Sequence, residues 1–412
     1  MSHLTSIGTY LPPWQLGNRR AKGPDEDALT MAVAAGRAAD PAATAERVVL
    51  ISRDLPLLEG GNGAVLLAGL SLPETAPVTE VLGGAPAVLD QIVASGPGTL
   101  VVATDDNDSA VGAAAVLLGA DEGGANVHAL ARRTRSLPMQ ARGADGVRHQ
   151  YVDPRLQREV GIRSTLARLG LSASERVTVI AGAKAAELGG GIDTRGAANE
   201  PAPSASAVIR LIAEAVHESR TGVVLAVEQS SVAAAGLRLG AGDLRVSRDE
   251  TPARDLPKQR TADGNGIPIS LPAYARAFEP KLRWEAAIYD DMTDIDGVPL
   301  TPPRLRVDAA GQLLDYRLEK LPRTGTVYTH TTIRIPVPDL PSPYSLAVVV
   351  LDDTAVRVLL KVTGVPAGET SIGQSGSVVL RRIATRAGIP DYGYMFWPAK
   401  ALTSEPQGIS MK

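Results

Sequence analysis

Asp105, Asp106, Asn107 and Asp108 form a dense acidic cluster just after an apolar run that ends at Ala103. Their oxygens could ligate a hard cation. Asp and Asn are also the ordinary residues of tight turns, and a solvated turn is the expectation. Gly189, Gly190 and Gly191 could set backbone amides around a phosphate, yet no Lys followed by Ser or Thr comes after them, so the P-loop pattern fails. Arg132, Arg133, Arg135, Arg142, Arg148 and His149 make a local basic segment. Its guanidinium groups could receive the phosphates of a CoA-like ligand through charge-assisted hydrogen bonds. A solvated loop or a subunit contact is the commoner use of such a segment.

The histidines are His3, His128, His149, His217 and His330. His149 and His217 could move protons, but a histidine with no positioned nucleophile is usually structural or exposed. Tyr392, Tyr394, Phe396 and Trp397 could stack on single-stranded nucleic acid. The net charge of −3 and the lack of interleaved Lys and Arg argue instead for barrel core and a partner interface. The chain has no cysteine at all, which excludes disulfides, thiolate zinc sites, iron–sulfur clusters and a cysteine nucleophile.

The elements that must carry these residues belong to a chain of 412 residues, 21% charged and 44% hydrophobic. That is a core-forming balance with room for roughly two or three domains. Residues 1–14 show no basic segment followed by an apolar run, and no stretch approaches about 20 uninterrupted apolar residues. Neither a secretory signal nor a membrane span is therefore expected, and a cytoplasmic location is the default. The aromatic residues divide the chain. Only Tyr10, Trp14 and Tyr151 precede residue 270, and the rest lie between Tyr274 and Trp397.

The earlier part, rich in Ala, Gly, Val and Leu, suits close helix–sheet packing in a layered α/β core. Strands are expected at Arg47–Ser52, Gly63–Leu67, Thr99–Ala103, Arg176–Ile180 and Gly222–Glu228. Helices are expected at Asp27–Ala39, Ala85–Ala94, Arg155–Leu169 and Ser204–Ser219, with Asp25 and Asp27 favouring the start of the first and Ser204 or Ser206 capping the last. The order of strand, long helix, apolar strand, Gly-rich turn and helix occurs before about residue 145 and again after it, which hints at duplication. A boundary near 285–300 is marked by Pro299, Pro302 and Pro303. Beyond it Thr326–Pro336, Ser345–Leu351, Ala355–Val362 and Ser377–Ile383 read as strands separated by short turns. Leu346–Leu351 reads as buried on both faces. With one more strand that the pattern does not place, these would make an OB-type barrel.

Several segments resemble a known family. Ile7-Gly8-Thr9-Tyr10-Leu11-Pro12, followed by Gly23-Pro24-Asp25-Glu26-Asp27-Ala28-Leu29-Thr30-Met31-Ala32-Val33, resembles the opening of bacterial and archaeal hydroxymethylglutaryl-CoA synthases. Ser109–Gly119 is similar to the small-residue strand of the thiolase superfamily, and Pro272 to Glu285, with Tyr274, Leu282, Arg283 and Trp284, is similar to a stretch near the end of those synthases. Gly325-Thr326-Val327-Tyr328-Thr329, Ile372-Gly373 and Tyr394-Met395-Phe396-Trp397-Pro398 resemble the OB-fold, zinc-ribbon proteins that accompany thiolases and acyltransferases.

The resemblance implies a thiolase-like (ketoacyl synthase III-like) duplicated five-layered αβαβα fold of two βαβαβαββ halves, followed by a small OB-fold barrel. Its divisions would be 1–145, 146–290, a degenerate zinc-ribbon linker at 291–324, and a barrel domain at 325–412. It also implies acyl-CoA chemistry nearby and a normally dimeric assembly.

The departures bear on mechanism. By the resemblance, the superfamily's nucleophilic cysteine at a helix N-terminus would fall within Glu80-Val81-Leu82-Gly83-Gly84-Ala85-Pro86, with Ala85, or a neighbouring Gly, at the expected place. The family's histidine would follow Val177–Ile180, but Ala181-Gly182-Ala183-Lys184 stands there. The zinc ligands would fall near Thr293, Asp296, Val307 and Ala310, which cannot form a thiolate site.

The expectation is a degenerate synthase-like subunit with no catalytic residue, no structural metal and no covalently bound cofactor. It would serve as scaffold or acyl-CoA-presenting partner of a catalytic thiolase, acyltransferase or aldolase. CoA or acyl-CoA is the expected ligand, with Arg132, Arg133 and Arg135 as phosphate contacts. The assembly would be a homodimer or a heteromer with a thiolase-like or acyltransferase subunit, without nucleic acid or membrane. The rival is an acyltransferase or lyase of this fold using non-covalent catalysis, and a third reading is a sensor of acyl-CoA without chemistry.

Overall fold

The computed structural model describes residues 2–120, 124–137, 140–142, 147–172, 175–189, 191–264, 278–289, 299, 301–303, 305–336, 338, 340–386 and 388–400. Pro272, Tyr274, Gly190, Thr293, Asp296 and Ala387 lie outside the described residues, as does the 290–298 part of the expected boundary.

The first repeat runs β1 (Ser2–Tyr10), α1 (Ala28–Ala39), β2 (Arg47–Ser52), α2 (Asn62–Leu70), β3 (Val78–Leu82), α3 (Ala85–Ala94), β4 (Thr99–Asn107) and β5 (Ala110–Gly119). The second opens with β6 (Ala125–Arg133), then α4 (Pro154–Val160) and α5 (Ile162–Ala167). It continues with β7 (Val177–Ala181), α6 (Ala185–Leu188), β8 (Ala198–Glu200), α7 (Ala207–His217), β9 (Gly222–Glu228) and β10 (Ser231–Leu239). Strand order within the first repeat is β3-β2-β4-β5-β1 and within the second β8-β7-β9-β10-β6. In both, the first three neighbours pair in parallel and the last two pairings are antiparallel. The halves are topologically identical. Their changeover falls between Gly119 and Ala125, ahead of residue 145.

Three apolar clusters show the layering. Leu50, Leu100 and Val102 face α1 and α2 on one side of the first half-sheet. Ile51, Val101 and Ala103 face the opposite way, onto α3 and α7, which also receive Val179, Val224 and Ala235 of the second half-sheet. Ile180, Leu225 and Val227 face outward onto Leu166, Leu169 and Leu188 of the α5–α6 region. This is the expected five-layered α–β–α–β–α sandwich. Antiparallel pairing of Ser2–Leu4 with Ala125–Val127 joins the two half-sheets.

Small residues set the close approaches. A Cβ on Gly8 would stand 2.2 Å from the Ala39 nitrogen, so α1 lies directly on β1. Helix α1 starts as the carboxylate pattern implies: Asp27 accepts from the Leu29 and Thr30 amides at 3.1 and 3.0 Å, and Thr30 Oγ1 accepts from the Asp27 amide at 2.9 Å.

Two expectations need correction. Gly63–Leu67 is not a strand but the body of α2, whose residues Val65–Leu70 are all buried. A short run that is apolar on every side carries no periodicity to separate helix from strand. The expected helix Arg155–Leu169 is two short ones, because the chain turns extended at Gly161, whose amide caps back to Gln157 O at 2.9 Å.

The last module is a barrel of β14 (Thr324–Ile333), β15 (Tyr344–Leu351), β16 (Arg357–Lys361), β17 (Ser375–Arg386) and β18 (Ile389–Pro398), in the order β16-β15-β14-β17-β18. Every ladder is antiparallel. A parallel bridge between Val362 and Phe396, with Thr363 N–H donating to Phe396 O at 2.9 Å, nearly closes it. This is the OB arrangement. β18, the strand the pattern does not place, carries Tyr392, Tyr394, Phe396 and Trp397, all buried. Leu346–Leu351 is buried on one face only: Ala347, Val349 and Leu351 point in, while Leu346, Val348 and Val350 are half-exposed. The segment before the barrel pairs β12 (Glu285–Tyr289) with β13 (Tyr316–Lys320). Here β11 denotes the strand Arg245–Asp249, parallel to β1.

The barrel is welded to the α/β unit through charge. Arg381 of β17 is 1% exposed. Its Nη2 donates to Tyr10 Oη at 3.0 Å and lies 3.5 Å from Glu26, and its Nε lies 3.4 Å from Asp25. Tyr10 in turn donates to Glu26, which accepts the Gly23 amide at 2.7 Å. Burial disfavours the Arg381 charge, but Tyr10, Glu26, Asp25 and Asp249 outweigh it and hold the guanidinium above its ordinary pKa. Burial pushes the Glu26 carboxyl up, opposed by Arg381. A second arginine, Arg323, caps α2 by donating to Gly69 O and Ala68 O at 2.7 and 3.0 Å, and reaches Tyr394 Oη at 2.8 Å. Arg381→Ala should cost about 3–5 kcal/mol by urea unfolding, because it leaves buried carboxylates unpaired. Glu369→Ala, which removes the exposed ion pair with Arg254, should leave the midpoint essentially unchanged.

Candidate functional site

The carboxyl ends of the central strands from both halves converge at the start of α3, where open α/β sheets characteristically bind ligands. Ala85 is the first residue of α3 and is 2% exposed; Gly84 is its N-cap and Pro86 occupies the first turn. Glu228, the last residue of β9, projects from the second half onto this terminus and accepts the Gly84 amide at 3.1 Å. Arg53, just after β2, donates to Glu228 Oε1 at 2.6 Å and to Pro203 O at 2.7 Å. A Cβ on Gly84 would stand 2.8 Å from Glu228 Oε2, so a side chain there would push the carboxylate off the helix end. The helix therefore opens on an alanine, and a carboxylate sits against its positive end.

Beside this pair opens a cleft of about 770 Å³. Arg53 and Glu228 form its floor; Gln140 and the α4–α5 residues Gln157, Arg158 and Arg163 line its wall. Gly182, which follows β7 where the family histidine is expected, lines it too and brings no side chain. Arg163 also holds α6 by donating to Ala186 O and Glu187 O at 3.0 and 3.1 Å.

The expected phosphate contacts do not come together. Arg132 pairs with Asp90 of α3, Arg133 donates to Arg168 O at 2.9 Å, and Arg135 donates to Glu159 O at 3.1 Å. Arg132 and Arg133 are neighbours on one strand and so point to opposite faces. They tie β6 to its surroundings rather than lining the cleft.

The acidic cluster is also not the solvated turn that composition suggests. Asp105 lies inside β4, 1% exposed, and accepts four hydrogen bonds of 2.7–2.9 Å from Ser204 Oγ, Ser206 Oγ and the amides of Ala205 and Ser206. It caps the start of α7 from the other half of the molecule, while Ser204 Oγ accepts the Ala207 amide at 3.1 Å. Only Asp108 and Ser109 form the turn.

Among the described residues no group of three or more His, Cys, Asp or Glu could hold a metal. The expected zinc positions do not fit a metal, since Val307 and Ala310 offer no donor side chain. Their loop is organised by Asp308, whose carboxylate accepts the Ala310 and Gln312 amides at 2.9 and 2.8 Å. No described helix is long and apolar enough to cross a membrane.

Arg53 and Glu228 escaped the reading from sequence. Each is a single charge at the carboxyl end of an apolar strand, and that position was the available signal.

Fold and site thus define a two-module chain, a duplicated five-layered α/β unit carrying an OB barrel. Residues 318–381 match the family model of the ChsH2 C-terminal OB-fold domain. Among solved structures, the chain is similar to 3-oxoacyl-[acyl-carrier-protein] synthase III from Aquifex aeolicus, at 15% identity over 58% of this chain and 100% of that one, with a TM-score of 0.46. It is similar to the corresponding synthase III from Thermus thermophilus at 16% identity, 58% and 100% coverage and a TM-score of 0.40. It is also similar to a chain of the Ltp2–ChsH2(DUF35) aldolase at 22% identity, covering 31% of this chain and 94% of that one, with a TM-score of 0.24. No curated protein matches the chain.

Asp105→Ala should destabilise the full chain by about 2–4 kcal/mol in urea unfolding, because several buried donors at the start of α7 lose their acceptor. Asp108→Ala, in the exposed turn of the same cluster, should have little effect.

Proposed function

We propose that this chain is a hydroxymethylglutaryl-CoA-synthase-like subunit that works without a covalent acyl-enzyme. It would be the scaffold or acyl-CoA-presenting partner of a catalytic thiolase-, acyltransferase- or aldolase-type protein. The observation that carries this reading is the α3 N-terminus, where Ala85 offers no nucleophile and Glu228 already accepts the Gly84 amide. The match to the ChsH2 OB-fold model supports the partner role, since the solved structure named above is an Ltp2–ChsH2(DUF35) aldolase. Carrying the barrel in cis fixes its geometry relative to the cleft.

CoA or an acyl-CoA is the proposed ligand, with the cleft beside Arg53 as its place. Phosphate contacts then fall to Arg158 and Arg163, which line the cleft, rather than to Arg132, Arg133 and Arg135. A non-covalent acyltransferase or lyase is the second reading, favoured by the charged floor that Arg53 and Glu228 give the same cleft.

Full-length protein incubated with radiolabelled acetyl-CoA should acquire no acid-stable label and release no product. Calorimetry should show CoA binding that Arg158→Ala weakens by about tenfold, the loss expected of a charge-assisted phosphate contact. An acyl-enzyme or turnover by the isolated chain would sink the scaffold reading, and absence of CoA binding would remove the acyl-CoA part of it.

A further inference from the structure

A second cavity, of about 320 Å³, lies at the seam between the barrel and the α/β unit. It shares no lining residue with the cleft at α3. Trp14, Pro257, Pro343, Tyr344 and Met395 are among its lining residues and give it an apolar, partly aromatic wall. Into this setting β16 delivers Lys361 at its last position. The ammonium lies 5.0 Å from the centre of the Tyr344 ring and has no hydrogen-bond or ion-pair partner among the described residues.

The carboxylate that lines the cavity, Asp25, is committed elsewhere. Its Oδ2 accepts Thr363 Oγ1 at 2.5 Å and faces Arg381 Nε at 3.4 Å. Arg382 also lines the cavity and donates to Pro24 O at 3.1 Å. The cavity therefore offers one unpaired cation, a second guanidinium nearby and an apolar, partly aromatic wall. A half-buried ammonium left without a counter-ion is costly, and an anion that brings its own apolar body would remove that cost.

We propose that this cavity binds a compact organic carboxylate, with the carboxylate on Lys361 and an alicyclic or aromatic body against Trp14, Tyr344 and the prolines. Burial holds the Lys361 ammonium below its ordinary pKa, with Asp25 opposing, as expected of a cation waiting for a closer anion. Inorganic phosphate has the charge without the apolar body and should bind far more weakly.

The test uses the full chain and three probes: cyclohexanecarboxylate, its neutral amide and inorganic phosphate. Binding is followed by the intrinsic fluorescence of the three tryptophans, of which Trp14 lines the cavity, and by calorimetry. The carboxylate should bind at least about tenfold more tightly than the amide or phosphate, the size of one charge-assisted hydrogen bond. Lys361→Met should abolish that preference while leaving the urea midpoint in place, and Lys361→Arg should restore part of it. Equal binding of acid and amide, binding unchanged in Lys361→Met, or no binding of the acid at millimolar concentration would each overturn the proposal. CoA binding at the α3 cleft is unaffected by Lys361→Met in either case, which keeps this test separate from that of the function.

Discussion

One buried guanidinium holds the two modules in register. Arg381 leaves the barrel and enters a pocket of oxygens supplied by Tyr10, Glu26 and Asp25, all from the first repeat. Taking an arginine out of water is costly unless its partners are exact and its remaining donors are used. Here the first strand and the segment leading to α1 supply Tyr10, Glu26 and Asp25, with Nε in ion-pair reach of Asp25 at 3.4 Å though not hydrogen-bonded. The apolar core follows the same continuity: Leu380, Tyr394 and Phe396 share a cluster with Leu29, Val33 and Leu66. Lys400, paired with Asp249 at 2.6 Å and lying 3.9 Å from the Trp397 ring centre, ties the end of the barrel to β11. Barrel and sandwich are therefore one packed body, and whatever binds at their seam meets a fixed geometry.

A comparable constraint crosses the sandwich itself. Asp105 from the first half caps α7 of the second, and Glu228 from the second half sits on the N-terminus of α3 in the first. In both cases a carboxylate meets the positive end of a central helix. The first is wholly buried and structural. The second borders an open cleft and is paired with Arg53, so the same electrostatic device serves packing in one half and lines a cleft in the other. Ala85 beside it brings no nucleophilic side chain of its own.

Much of the fold was legible because the apolar strands Arg47–Ser52, Thr99–Ala103 and Gly222–Glu228 are bounded by charge or turn residues, and α1 carries its capping signal. The misreadings have physical causes. Val65–Leu70 of α2 are buried on every side and so show no periodicity, while the final barrel strand is rich in aromatic residues whose packing only the closed barrel reveals. Asp105 looked like a turn residue because its four donors come from about a hundred residues away. The absence of cysteine was plain from composition. What takes its place was not, because Arg53, Gly84 and Glu228 are brought together only by the pairing of strand ends across the two repeats.

The proposed partner role rests on the chain being a welded scaffold whose cleft adjoins a helix that opens on Ala85. Its most direct test is to tag the chain in its native host, purify it under mild salt and determine the composition and mass of the complex. A stoichiometric heteromer with a thiolase-like subunit bearing an intact cysteine and histidine is the predicted result. A solitary homodimer that turns over acyl-CoA unaided would contradict it.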